Sequence, residues 1–292
     1  MSRVRDWLSL VKFSHSIFAL PFALQGAWLA SGGVPAWHVL AWVVVCAVAA
    51  RTAAMAFNRW LDQDLDASNP RTASREIPSG KLRSGAVFGL VLISSGAFIA
   101  ASFALNPLCG KLSPLVLGVL LSYSAFKRFS WLAHAVLGLA LGIAPLGAWL
   151  AVQGDFQGNW SIVVWLAAAV LLWVAGFDLI YACQDAEHDA EAGLHSVPAR
   201  FGIARALWLS RAFHLGAVVC LVMCALTADR GAIYLGTIGL SALLLAWEQS
   251  LVRADDLSKV DMAFFTLNGW VGVALFLGLA LDLWVYAPSE IS

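Results

Sequence analysis

Apolar and polar positions alternate in blocks along this chain, and the apolar blocks have the length of a bilayer. A helix needs about 20 mostly apolar residues to cross the hydrocarbon. Nine runs approach that length: 14–32, 36–57, 84–105, 108–125, 131–152, 160–182, 205–227, 231–252 and 261–284. The fourth is the weakest, because Lys111 and Pro114 interrupt its start. The connections near 33, 107, 156 and 229 are short, whereas 58–83 and 183–204 are long and polar, and 126–130 and 253–260 fall on their side. The pattern predicts an all-α integral membrane protein. Its nine transmembrane helices form one domain over 1–292, a bundle around a central cavity with polar loops capping one face.

Charge orients this bundle. Of 18 Lys and Arg, only Lys111 and Arg230 fall on the short-loop side. The positive-inside rule then puts the N-terminus and the polar loops in the cytoplasm and the C-terminus outside, in a bacterial-type cell membrane. Arg3, Arg5 and Lys12 precede a long apolar stretch without a small-residue cleavage pattern, so the first span is expected to stay as an anchor. Composition agrees: 61% of residues are hydrophobic, 12% are charged, and mean hydropathy is +0.79. With zero formal net charge, nucleic acid is not an expected partner. Trp37, Trp160 and Trp284 suit interfacial belts. The five cysteines mostly lie in apolar runs and read as packing residues.

Where the second span meets its polar loop, the chain reads R-T-A-A-M-A-F-N-R-W-L-D-Q-D-L-D. On a helix Asn58, Asp62 and Asp66 share one stripe, Arg51 lies two turns earlier near the same side, and Asp64 points elsewhere. A second stripe, Asp178, Asp185 and Asp189, begins near the end of the sixth span and continues into the polar loop. Asp62 and Asp66 precede Asp185 and Asp189 by 123 residues, a faint internal repeat that fits two related halves with a site between them. Charges near a membrane need a reason. Mg²⁺ is usually held by one or two carboxylates together with phosphate oxygens. One ion suits Asp62 and Asp66 with Asn58 as a neutral ligand, and another suits Asp185 and Asp189, with Asp178 orienting the second set. Arg71, Arg75, Lys81 and Arg83 follow in one polar loop, and Lys127 and Arg128 in another. Arg forks suit phosphate oxygens. Lys81 and Arg83 read as ordinary positive-inside charge, while Arg51, Lys127 and Arg128 read as functional.

At this point the chain resembles the UbiA superfamily of intramembrane prenyltransferases, over nearly its whole length. N-R-x-x-D-x-x-x-D at 58–66 and Y-A-x-x-D-x-x-x-D at 181–189 carry the likeness. V-K-F-S-H-S-I-F-A-L-P-F at 11–22, R-T-x-x-R at 71–75, K-R at 127–128, G-L-H-S-V-P-A-R-F-G at 193–202 and F-F-T-L-N-G at 264–269 add to it. The chain is most similar to 4-hydroxybenzoate polyprenyltransferases, including members that serve menaquinone synthesis. The resemblance implies that Mg²⁺ held by Asn58, Asp62, Asp66, Asp185 and Asp189 binds a polyprenyl diphosphate. Ionisation would give an allylic cation that an aromatic acid attacks, with the prenyl chain among helices in contact with lipid. Arg51, Lys127 and Arg128 would meet diphosphate or the acceptor carboxylate, and the rings of Tyr123 and Tyr181 could face the cation. Many relatives have Asn-Asp where this chain has Asn58-Arg59, and Arg-Pro where it has Arg75-Glu76. These departures spare the carboxylates and leave the acceptor open, a hydroxynaphthoate being the alternative ring. A cation-coupled transporter is the alternative of another class.

His15, at the start of the first span, and His134 read as interfacial, and His188 as solvated. Glu248 reads as an interfacial charge at the end of the eighth span. Asn268 is placed to hydrogen-bond between helices. A lone G-x-x-x-G means little in a chain with 24 Gly.

Overall fold

The computed structural model describes residues 2–11 and 19–286, and every regular element in that range is helical. A short helix α1 (Ser2–Val11) precedes α2 (Leu20–Ser31). The long helices follow: α3 (Trp37–Leu61), α5 (Ser84–Leu105), α6 (Pro107–Phe126), α7 (Ala133–Gln153), α8 (Trp160–Ala182), α11 (Ile203–Thr227), α12 (Ala232–Leu251) and α13 (Asn268–Val285). Three short helices lie between them, α4 (Gln63–Ser68), α9 (Ala186–Glu191) and α10 (Val197–Phe201). Among the described residues eight helical segments are long and apolar enough to cross a membrane. The first of the nine expected spans is represented by the 12-residue α2; its beginning, with His15, lies outside the described residues.

The weakest expected span is an unbroken helix. Pro114 cannot donate to the carbonyl one turn back, that of Gly110. The Ser113 hydroxyl donates to that carbonyl instead, at 2.7 Å. The helix therefore passes Pro114 without losing its acceptor's partner.

Helix α8 is the axis of the bundle. It packs between α7 and α11, and its Val163, Leu166, Val170 and Val174 are fully buried. Helix α3 pairs with α5, and α2 lies on α7. Small residues permit the closest approaches. A Cβ at Gly138 of α7 would stand 2.3 Å from the Leu171 carbonyl oxygen of α8, and one at Gly142 would stand 2.8 Å from that of Ala167. The Gly138-x-x-x-Gly142 pair is thus the α7–α8 contact surface, although the sequence reading passed over this spacing. Elsewhere the apolar side chains point outward, as a lipid-facing surface requires; Leu92, Ile93, Leu115, Trp208 and Leu243 are among them. Trp37 and Trp284 are exposed, as expected of belt residues, whereas Trp160 is half-buried and lines a cavity. All five cysteines are unpaired.

Candidate active site

The two acidic stripes are built by the same backbone device. Helix α3 ends at Leu61, Asp62 leaves helical geometry (φ −92°, ψ 8°), and the six-residue α4 begins directly after it. Helix α8 ends at Ala182, a 3₁₀ turn spans Cys183–Asp185, Asp185 takes nearly the same conformation (φ −106°, ψ 8°), and the six-residue α9 follows. Each long helix therefore gives way at or just before a carboxylate, Asp62 or Asp185, and the carboxylate four residues on, Asp66 or Asp189, sits in the short helix beyond. The faint repeat in the sequence corresponds to this shared break.

Both breaks open into one polar cavity of about 310 Å³. Asn58, Asp62 and Asp66 line it from one side, Asp178, Asp185 and Asp189 from the other. Arg51, Arg71, Arg75, Lys127, Tyr123 and Tyr181 line it as well. Arg128 lies just behind the wall: its Nη1 donates to Asp62 Oδ1 and its Nη2 to the Leu61 carbonyl, both at 2.8 Å. Every residue singled out for chemistry thus belongs to one assembly. Asp64 is exposed, and so are Lys81 and Arg83, in keeping with the reading that set them apart.

The carboxylates are engaged by cations drawn from other segments. Lys127 Nζ lies 2.6 Å from Asp62 Oδ2, and Asn58 Nδ2 donates to the same oxygen at 3.1 Å. Arg75 Nη1 lies 2.6 Å from Asp66 Oδ1. Arg71 Nε donates to Asp185 Oδ1 at 2.9 Å, its Nη2 pairs with Asp185 Oδ2, and its Nη1 donates to the Tyr181 hydroxyl at 2.9 Å. Burial works against the Arg71 charge, but the bonds to Asp185 and Tyr181 outweigh it and hold the guanidinium above the ordinary arginine range. Asp189 has Ser196, Asp185 and Lys127 as neighbours.

Four polar residues join the site that the sequence reading had missed or set aside. Asn69 Nδ2 donates to Asp185 Oδ1 at 3.1 Å, while its own Oδ1 accepts the Arg71 backbone N–H at 2.9 Å. Its signal was present, since 58, 62, 66 and 69 continue one helical stripe. His134 is buried rather than interfacial: it faces Asp178 Oδ2 through Nδ1 at 2.7 Å, and its Nε2 accepts the Val197 N–H at 3.4 Å. A ring nitrogen that accepts carries no proton, so Nδ1–H is the donor to Asp178. Asp178 is therefore held by His134 within the cavity wall. His188 is half-buried in the same lining, with Nε2 buried, so it is not solvated. Arg59 also lines the cavity.

Mg²⁺ fits this donor set. Among the described residues no three Asp, Glu, His or Cys side chains converge on one point. Mg²⁺ does not need that, because phosphate oxygens and water complete its octahedron. One carboxylate oxygen, Asp66 Oδ2, is buried and accepts no hydrogen bond. A buried anionic oxygen left in that condition is costly, and a divalent cation is the partner it suits.

A second cavity, of about 380 Å³ and almost wholly apolar, adjoins the first. The two share Arg51, Met55, Tyr123, Leu137 and Leu141. From this boundary the apolar cavity runs between α3, α6 and α7, past Ala50, Ala47 and Val43, to Phe156 and Trp160. The Met55–Val43 stretch of α3 alone is about 18 Å long.

The UbiA prenyltransferase family matches residues 19–286. A 4-hydroxybenzoate octaprenyltransferase of Polaromonas sp. is 34% identical over 297 aligned positions, covering 94% of this chain and 96% of the relative. One from Shewanella piezotolerans is 31% identical over 266, covering 90% of each. Among solved structures, a UbiA homologue from Aeropyrum pernix is 35% identical with a TM-score of 0.83, covering 92% of this chain and 98% of that one. A UbiA homologue from Archaeoglobus fulgidus, bound to dimethylallyl diphosphate and Mg²⁺, shares the fold at 18% identity and a TM-score of 0.75, covering 96% and 99%.

Proposed function

Because the chain belongs to the UbiA prenyltransferase family, we propose that it transfers a polyprenyl group from a polyprenyl diphosphate to an aromatic acid of the 4-hydroxybenzoate type, within the membrane and in service of respiratory quinone synthesis. The observation that carries this reading is the continuity of the two cavities. A polar chamber with two carboxylate sets opens, past Arg51 and Tyr123, into an apolar channel. A molecule with a multiply charged head and a long hydrocarbon tail fits such a pair, and a solvated ion alone does not. The relatives named 4-hydroxybenzoate octaprenyltransferase support the acceptor class.

In this reading Asp62 and Asp66 hold one Mg²⁺ with Asn58 beside them, and Asp185 and Asp189 hold another. Bound there, Mg²⁺ supplies Lewis acidity to the leaving diphosphate. The remaining work belongs to the chain. Arg71, Arg75, Lys127 and Arg128 offer cationic donors to phosphate oxygens. As the carbon–oxygen bond of the donor breaks, diphosphate leaves with the electron pair. The rings of Tyr123 and Tyr181 stand in the same chamber, where a π face stabilises positive charge on carbon. The acceptor ring then bonds that carbon and gives up its ring proton to the released diphosphate. Arg51, at the boundary of the two cavities, is placed to meet the acceptor carboxylate or a phosphate oxygen. His134 holds Asp178 in the wall of the chamber. The positive-inside rule orients the acidic chamber toward the cytoplasm.

The test is prenylation of 4-hydroxybenzoate in membranes, with and without Mg²⁺ and with dihydroxynaphthoate as a competing acceptor. Asp62→Ala, Asp66→Ala and Asp185→Ala are each expected to lose about a hundredfold or more in turnover. Undiminished turnover in all three would overturn the proposal, and preference for the naphthoate would reassign the acceptor.

A further inference from the structure

Arg59 is the cationic residue of the polar chamber that the ion pairs described above leave out. It is 4% exposed and sits in the last turn of α3, between Asn58 and Asp62. Its Nε is buried without a hydrogen-bond partner. None of the ion pairs within 4.0 Å among the described residues includes it. A buried donor of a charged group left without an acceptor is unfavourable.

Its charged neighbours narrow what is missing. Arg75, Asp66 and Glu76 lie within its electrostatic reach. Each of these already has a closer partner: Arg75 Nη1 bonds Asp66 Oδ1, and Glu76 Oε1 accepts the Ser9 hydroxyl at 2.5 Å. Asp66 Oδ2 is buried and unpartnered, as is Arg59 Nε. An anion and a cation that line one cavity, both short of partners and not bonded to each other, frame a gap between unlike charges. A direct salt bridge would have closed it. A group that is itself cation and anion closes it from both sides, the metal meeting the carboxylate oxygen and a phosphate oxygen meeting the guanidinium.

We propose that Arg59 is a diphosphate ligand of this chamber, adding a planar guanidinium donor beside Asp66 and Arg75. The assignment rests on the function proposed above and deepens it. It also gives a reason for the departure at this position. Where many relatives carry an acidic residue after the asparagine, this chain carries a cation, and Glu76 stands in place of proline in the following loop, so the added carboxylate offsets only part of the added positive charge while an anion-binding group is gained. A carboxylate of the acceptor is a weaker fit, because Arg59 is not among the residues that line both cavities. Its charged neighbours are Arg75, Asp66 and Glu76, with Tyr123 of the boundary also in reach.

Calorimetric titration of the purified full-length protein in detergent with Mg²⁺ pyrophosphate tests this without requiring turnover. Arg59→Gln is expected to weaken pyrophosphate about tenfold or more, as for loss of a hydrogen bond to a charged group, with Arg59→Lys in between. In steady-state assays the donor KM should rise while the acceptor KM stays within about twofold of wild type. If Arg59→Gln binds pyrophosphate as wild type does, or if only the acceptor KM rises, the assignment is overturned. If Arg59→Gln is too unstable to titrate, Arg59→Lys decides: a severalfold loss supports a guanidinium ligand, and unchanged affinity rejects one. Absence of pyrophosphate binding by the wild type would sink the proposed function itself and this assignment with it.

Discussion

Arg71 grips Asp185 across 114 residues of sequence, donating Nε to Oδ1 at 2.9 Å while Nη2 meets Oδ2. The pair ties the loop after α4 to the break after α8, so the halves that carry the two carboxylate sets are fastened at the rim of the chamber. The same guanidinium lies 5.2 Å from the centroid of the Tyr181 ring and bonds its hydroxyl. One side chain thus positions a carboxylate and an aromatic ring together.

Such pairing makes metal and diphosphate binding cooperative. Asp62 already accepts from Lys127 and Arg128, Asp66 from Arg75, and Asp185 from Arg71. A lone Mg²⁺ must compete with those cations for carboxylate oxygens. A diphosphate arriving with the metal gives the displaced cations phosphate oxygens to bind, so each ligand favours the other by the same factor. Mg²⁺ affinity is expected to rise about tenfold or more in the presence of pyrophosphate, as measured by calorimetry. Arg71→Ala should shrink that coupling and lower turnover, whereas equal Mg²⁺ affinity with and without pyrophosphate would contradict the argument.

Sequence and structure agree most closely where one physical signal dominates. Hydropathy located α5 and α8 at 84–105 and 160–182, the ranges they occupy. Four-residue spacing found both carboxylate sets, because a stripe is a property of the helix alone. The reading fell short where partners come from distant segments. The span ending at 57 marked only the apolar run: α3 continues four residues beyond it and α4 follows, since polar residues end an apolar run without ending a helix. Arg59 lies one residue, and so about 100°, off the Asn58 stripe, and appeared only as a departure from a motif. Its place in the chamber depends on Asp66, Arg75 and Glu76, which no local pattern joins to it. Glu248 read as interfacial because it stands near a span end, yet it is fully buried and accepts from Asn268.

The contact between α7 and α8 gives a stability prediction. Alanine at 138 would set its Cβ against the Leu171 carbonyl oxygen, a backbone atom that cannot swing aside as a flexible side chain would. The helices must separate, at a cost of about 1–3 kcal/mol for overpacking. Gly138→Ala should lower the thermal midpoint in detergent, and Gly118→Ala, where a Cβ meets no atom within 4 Å, should not. Equal midpoints for the two variants would show that the helix pair is not locked as described.

Asn268 makes the interhelical contact expected of it, and more. The Trp173 indole N–H donates to its Oδ1 at 2.6 Å, and its Nδ2 donates to Glu248 Oε1 at 3.0 Å. It also donates to the Phe264 carbonyl at 3.2 Å, within the π-helical turn Met262–Leu267. Leucine at 268 removes the whole set, with an expected loss of about 1–3 kcal/mol. Glu248→Gln keeps a carbonyl acceptor and should stay near wild type. Thermal unfolding of both variants is the measurement, and an unchanged midpoint for Asn268→Leu would show that this network carries no stability.

The apolar channel predicts how donor length is read. Met55 and Arg51 stand at its mouth, Ala47 lies one turn of α3 beyond Arg51, and Phe156 and Trp160 close the far end. A phenyl group at 47 would block the deeper part and leave the mouth and the polar chamber open. Short donors such as dimethylallyl diphosphate would still seat their hydrocarbon above the block. A long polyprenyl tail would lose its contacts or be forced out between the helices. Excluding several methylenes from a fitted apolar pocket is expected to cost about tenfold or more in kcat/KM. Ala47→Phe should therefore shift the ratio of kcat/KM for long over short donors by that factor, with little change in pyrophosphate inhibition, since the head-binding residues are untouched. Competition between a short and a long donor in one membrane assay, read by mass spectrometry of the products, measures this ratio directly. If the ratio is unchanged while both activities persist, the tail does not follow this channel, and the two cavities serve separate purposes.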